Sequence, residues 1–112
     1  MAADEAALTQ LRRGALEYCV LALLDGEERY GYDLATELSE AGLLASEGTM
    51  YPLLSRLRKD DHVQTTWRES PSGPPRRYYS LTPRGRESLA HFRESWTEFK
   101  NSVDTIIERR KS

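Results

Sequence analysis

From Thr82 onward the chain carries one long hydrophobic seam, and no other feature restricts its architecture as much. Leu89, Phe92, Trp96, Phe99, Val103 and Ile106 follow one another at alternating spacings of 3 and 4 residues. That is the period of a helix that packs along its whole length against another helix. Thr82 suits the N-cap and Pro83 the first helical position. From Pro83 to about Arg110 such a helix would run roughly 40 Å at 1.5 Å per residue. A chain of 112 residues suits one modest core. It cannot cover a seam that long, and a second copy of the chain is the simplest supply of the missing surface.

Ahead of the seam, Gly and Pro divide the chain into short elements. Leu8 to Asp25 is predicted to be a helix that Asp25-Gly26 stops. Leu8, Leu11, Ala15, Cys19 and Ala22 fall on one side of it, and Leu16, Val20, Leu23 and Leu24 on another. A helix apolar on two sides is buried on two sides, here by the core and by a partner subunit. Tyr32 to Ala41 is predicted to be a second helix, with Leu34, Leu38 and Ala41 inward and Gly42 at its C-terminal turn. Ser46 to Asp60 is predicted to be a third, capped by Ser46. Met50, Leu53, Leu54 and Leu57 form its inner stripe, which leaves Thr49, Tyr51, Ser55, Arg56 and Lys59 outside. Pro52 should bend this helix, or mark where the helix proper begins. Val63 to Arg68 alternates as a strand, Glu69 to Pro75 is predicted to be a loop, and Arg77 to Leu81 a return strand. The expected fold class is mainly α with a small two-stranded β wing: a winged helix-turn-helix domain over residues 1–82 and a dimerisation helix over residues 83–112.

The net charge of −2 hides an uneven distribution. Residues 1–48 set ten acids against Arg12, Arg13 and Arg29, whereas residues 49–86 set eight basic residues against Asp60, Asp61 and Glu69. A basic middle in an acidic chain marks a candidate surface for an anionic partner. Arg56, Arg58 and Lys59 fall on the third helix, Arg68, Arg76 and Arg77 on the wing, and Arg84 and Arg86 at the start of the last helix. Such groups neutralise DNA phosphates, while polar residues early in the third helix meet base edges. Arg76 and Arg77 are adjacent on a strand and so face opposite ways.

Other chemistries find little support. His62 and His91 are the only histidines and Cys19 the only cysteine, and their positions have no metal-ligand spacing. No nucleophile motif or Gly-rich phosphate loop is present, so neither an enzyme nor a cofactor is expected. Cys19 reads as a small buried apolar residue in a reducing compartment. The longest apolar run, Tyr18 to Leu24, is far short of the ~20 residues a membrane helix needs. The N-terminus lacks the pattern of a secretory signal, and a cytoplasmic location is expected.

Three stretches resemble the PadR family of transcriptional regulators. Tyr30-Gly31-Tyr32-Asp33-Leu34 is similar to the start of that family's second helix. Gly48-Thr49-Met50-Tyr51-Pro52-Leu53-Leu54-Ser55-Arg56-Leu57 is similar to its recognition helix. Gly73-Pro74-Pro75-Arg76-Arg77-Tyr78-Tyr79-Ser80-Leu81-Thr82, with Gly85 following, is similar to its wing. The resemblance covers about residues 8–107. It implies a homodimeric repressor without catalytic activity that binds palindromic operators in double-stranded DNA. Tyr30, Ser46, Thr49, Tyr51, Arg56, Lys59, Arg76 and Arg77 are the candidate DNA contacts. Leu11, Ala15, Cys19, Phe92, Trp96, Phe99, Val103 and Ile106 are the candidate dimer contacts. Short members of the family, with a single C-terminal helix, include multidrug sensors that hold flat aromatic compounds between tryptophans at the dimer centre. Trp96 stands at the matching position, and Trp67 is a second candidate ligand contact. One departure is Asp61-His62, where the family usually has a glycine after an acid. Aspartate tolerates the left-handed backbone needed there. The competing expectation is a winged-helix module that docks proteins through its acidic first half.

Overall fold

The structure is a computed structural model describing residues 2–44 and 46–109, with side chains described from residue 7 onward. Helix α1 (Ala2–Leu23) leads through a two-residue strand β1 (Arg29–Tyr30) into α2 (Gly31–Glu40). A 3-10 turn (Glu47–Thr49) opens directly into α3 (Met50–Lys59), followed by β2 (Val63–Ser70), β3 (Gly73–Leu81) and the long α4 (Pro83–Ile107). The expected end of the last helix near Arg110 lies outside the described residues.

The core is where the helical periods placed it. Leu34, Leu38, Met50, Leu53, Leu54 and Leu57 are buried together with Val20 and Leu21 of α1 and with Leu24 just past its end. Val63 and Leu81 bring the base of the wing into the same cluster, and Leu89 brings in the first turns of α4. Ala41 was expected inside with Leu34 and Leu38, but it is the exposed C-cap of α2, and Ala35 takes the inner place. Cys19 is half-buried rather than enclosed, and its burial pushes the thiol up, which keeps it protonated at neutral pH.

The sheet differs from the expected two-stranded ribbon. It has three antiparallel strands in the order β1-β3-β2. β1 adds only the pairs Arg29 with Tyr79 and Tyr30 with Tyr78. Two residues have no period to read, so this strand left no signature in the sequence. The wing is also longer than expected. Glu69 to Pro75 is not a loop: β2 runs through Ser70, β3 resumes at Gly73, and only Pro71 and Ser72 turn. Pro74 and Pro75 are tolerated because β1 does not reach them and the ladder to β2 shifts register between Arg68 and Ser70. A proline costs no ladder bond in such a bulged stretch.

Helix ends explain how the recognition unit is held. Ser46 accepts a hydrogen bond from the Gly48 N–H at 3.2 Å, so it caps the 3-10 turn rather than α3 itself. Pro52 is the third residue of α3, in the first turn, where N–H groups have no partner within the α-helix, and it ends nothing. At the other end Asp61 has φ 62°. Its N–H donates to the Arg58 carbonyl at 3.0 Å and that of His62 to the Leu57 carbonyl at 2.8 Å. This is a Schellman ending with aspartate where glycine is usual. Thr82 then ties the exit of α3 to the entry of α4. Its hydroxyl donates to the Asp61 carbonyl at 2.6 Å and accepts from the Gly85 N–H at 3.0 Å.

Candidate nucleic-acid interface

Because Met50, Leu53, Leu54 and Leu57 are locked in the core, the opposite side of α3 is exposed as a consequence. Its surface divides into two stripes at helical spacing. Tyr51, Ser55 and Arg58 form one, and Tyr51 is 64% exposed, a large ring with no core to fill. Thr49, Pro52, Arg56 and Lys59 form the other, and its first three residues border α1. Thr49 donates its hydroxyl to the Ser46 carbonyl at 2.7 Å, so this residue and Ser46 also serve the turn that opens the helix. Arg56 lies 3.3 Å from the Glu17 carboxylate of α1. An exposed pair of this kind contributes about 0–1 kcal/mol, so a phosphate can replace the carboxylate.

The wing carries its arginines on aromatic rings. On one side of the ribbon Tyr30 pairs with Tyr78 across the strands, and Arg68 pairs with Arg76. The Arg76 guanidinium lies over the Tyr30 ring at 4.9 Å, and that of Arg68 over Tyr78 at 5.6 Å. Arg68 also donates to Glu28 at 2.6 Å, and this hydrogen bond raises its pKa above the ordinary arginine value. On the other side Trp67 pairs with Arg77, whose guanidinium sits 4.7 Å over the indole. Arg76 and Arg77 therefore face opposite ways, as strand alternation required. Each stack contributes about 0.5–1 kcal/mol at an exposed site. It holds the head group in place while leaving its N–H edge for an acceptor. Arg68 is legible in the sequence as a wing cation, whereas Tyr78 carries no such signal. Only the cross-strand register reveals that they extend the Tyr30–Arg76 surface.

The second candidate region lies on α4. Past Leu89 its seam leaves the core. Phe92 and Val103 are partly covered, but Trp96 is 41% exposed, Phe99 62% and Ile106 62%. Tyr18 of α1 stacks on Phe92 at 4.0 Å, nearly parallel, and the row continues through Trp96 at 5.7 Å to Phe99 at 6.3 Å. Tyr18 is the member of this row that the sequence did not reveal. Burial and the neighbouring Glu17 carboxylate raise its phenol pKa. Leu11 is 67% exposed beside half-buried Ala15 and Cys19, so the outer side of α1 continues the same apolar surface. Trp67 is on the wing and Trp96 in the α4 row, so the two tryptophans proposed together belong to different clusters.

Residues 20–91 match the Transcriptional regulator PadR-like family. The chain belongs to that family. PadR-like proteins are DNA-binding regulators without enzymatic activity, and they typically dimerise. A transcriptional regulator of Mycobacterium tuberculosis is 33% identical over 96 residues, covering 86% of this chain and 89% of the relative. A PadR-like transcriptional regulator of Bacillus cereus superposes with a TM-score of 0.81 at 38% identity, covering 90% of this chain and 99% of that one. A PadR family regulator of Eggerthella lenta superposes at 0.83 with 32% identity, covering 98% and 99%. Among the described residues of this chain no helix is long and apolar enough to cross a membrane.

Proposed function

We propose that this PadR-like regulator is a homodimeric, sequence-specific repressor of palindromic operators. Its two copies of α3 lie in successive major grooves about 34 Å apart. In this reading Tyr51, Thr49 and Ser46 lie at the groove, and Arg56, Lys59, Arg76, Arg77 and Tyr30 at phosphates. Helix α4 pairs with its counterpart and with α1 of the other copy, through Leu11, Ala15, Cys19, Phe92, Trp96, Phe99, Val103 and Ile106. The observation that carries the proposal is the apolar row of α4, whose Trp96, Phe99, Ile106 and Ile107 are exposed although α3 and the wing need none of them. In water such a row favours association with its own copy by burying apolar area.

The same row supports control by a small flat aromatic compound held at the dimer centre. Trp96 already stacks with Phe92 on one side and Phe99 on the other. A ring inserted between two such rows gains about 0.5–1.5 kcal/mol per stack beyond burial. It releases the operator only by favouring a dimer whose α3 helices no longer match the groove spacing. Trp67, held under Arg77 on the wing, takes no part in this reading. A soluble cytoplasmic repressor fits every part of it.

Fluorescence anisotropy against the protein's own promoter, with a shuffled duplex as control and two salt concentrations, tests the core of this proposal. Tight, salt-dependent preference for the promoter is expected. Indifference to DNA at low salt would instead favour docking of proteins on the acidic first half. Ligand placement is tested by tryptophan quenching, which Trp96→Phe should abolish.

A further inference from the structure

A second opening lies away from the α4 row. It sits between α1, the chain after α2 and the start of α3, with a volume of about 230 Å³. Leu16, Leu43, Leu44, Pro52 and Leu53 supply its apolar lining, all aliphatic. Arg12, Arg13 and Arg56 supply its charge, and no acidic residue lines it. Two of these arginines come from residues 1–48, where ten acids outnumber three arginines.

The three cations are not equivalent. Arg12 donates to the Gly42 carbonyl at 2.9 Å and Arg56 faces Glu17. Arg13 is exposed and has no hydrogen-bond or ion-pair partner in the described structure. An arginine fork with free donors beside an aliphatic floor is complementary to a carboxylate with a hydrocarbon tail. The lining residues carry no aromatic ring, which disfavours a stacked aromatic ligand. The volume is below the ~300–1,000 Å³ of sites for drug-sized compounds, which suits a single acyl chain of medium length. The cleft also stays open in the proposed dimer. Thr9, Arg13 and Leu16 face about a third of a turn away from Leu8, Leu11, Ala15 and Cys19 on α1.

We propose that this cleft is a binding site for a medium-chain aliphatic carboxylate, with the carboxylate on Arg13 and Arg56 and the chain against Leu16, Leu43 and Leu53. The site is separate from the aromatic row and does not depend on it. It shares Thr49 and Arg56 with the outer face of α3, so only its consequence for operator binding rests on the reading of α3 as the DNA element. Isothermal titration of the full-length protein in the absence of DNA tests the site itself. The probe is octanoate, with octanamide as its uncharged counterpart. One octanoate per chain is expected, at least tenfold tighter than the amide. Arg13→Gln should weaken octanoate at least tenfold with an unchanged melting temperature, since Arg13 supports nothing else. Trp96→Phe should leave the titration unchanged. Equal binding of acid and amide, or full binding by Arg13→Gln, overturns the proposal. Loss on Trp96→Phe with retention by Arg13→Gln would place octanoate on the aromatic row instead.

Discussion

Gly85 shows how a single position can be fixed from far away in sequence. A Cβ built there would lie 2.0 Å from the His62 carbonyl oxygen and 2.9 Å from its carbon. Both are backbone atoms, and the same carbonyl already accepts from the Thr82 N–H at 3.1 Å. Neither strand exit nor helix start can move without breaking that bond. Gly85→Ala should therefore destabilise the fold by about 2–3 kcal/mol, even though alanine is the better helix former by about 1 kcal/mol. Urea titration of the two proteins measures this, and an equal or higher midpoint for the variant would refute the packing argument. Thr82→Ala removes the cap of α4 and the bond to the Asp61 carbonyl together. A loss of about 1–2 kcal/mol is expected by the same measurement. Thr82 and Pro83 were legible as a helix start because capping is local chemistry. The need for glycine at residue 85 was not, because its cause is a carbonyl on another element.

At the scale of elements, what the sequence discloses depends on whether an element has a period. The inner stripe of α3 emerged residue for residue, since Met50, Leu53, Leu54 and Leu57 follow the helical spacing and are all buried. The length of the wing did not, because Pro74 and Pro75 argue locally for a loop while the register with β2 continues past them. The ion pair of Arg56 with Glu17 and the cleft beside Arg13 join residues that are distant in sequence, and no local pattern announces them. The end of α3 offers a direct test of a local rule. Asp61 holds φ 62°, where an L-residue is strained and glycine is not. Asp61→Gly should raise stability by roughly 0.5–1 kcal/mol, read as a higher urea midpoint at unchanged slope. The wing provides a second test. If Arg76 and Arg77 each neutralise a phosphate, either alanine variant should weaken binding to promoter and shuffled duplex alike. It should also flatten the log–log salt dependence by about 0.9. An unchanged slope for one of them identifies the arginine that stays stacked on its ring, over Tyr30 or Trp67.

The whole molecule is longer than its residue count requires. Its radius of gyration is 16.5 Å and its principal extents are 62 × 33 × 21 Å, whereas a compact domain of this length should have a radius near ~13 Å. Much of the excess is α4, which buries Leu89 in the first core and then runs on with Trp96, Phe99, Ile106 and Ile107 exposed. An isolated chain would hold these side chains in water, against the hydrophobic effect that built the rest of the fold. A two-fold pair removes that cost and at the same time doubles the number of α3 helices offered to DNA. Phe99 is the position at which to separate the pair, because it is 62% exposed and takes no part in the core around Leu54. A charge there leaves the single chain intact but places an unpaired carboxylate in the seam of the dimer, which is strongly unfavourable. Phe99→Asp should therefore sediment at the mass of one chain where the parent sediments at two, with an unchanged helical circular dichroism signal. Operator affinity should fall by at least a hundredfold, because one α3 reads one half-site and the second binding event loses its tether. A variant that stays dimeric would move the interface off α4. A monomer with full operator affinity would show that the two-fold pair is not what positions this regulator on DNA.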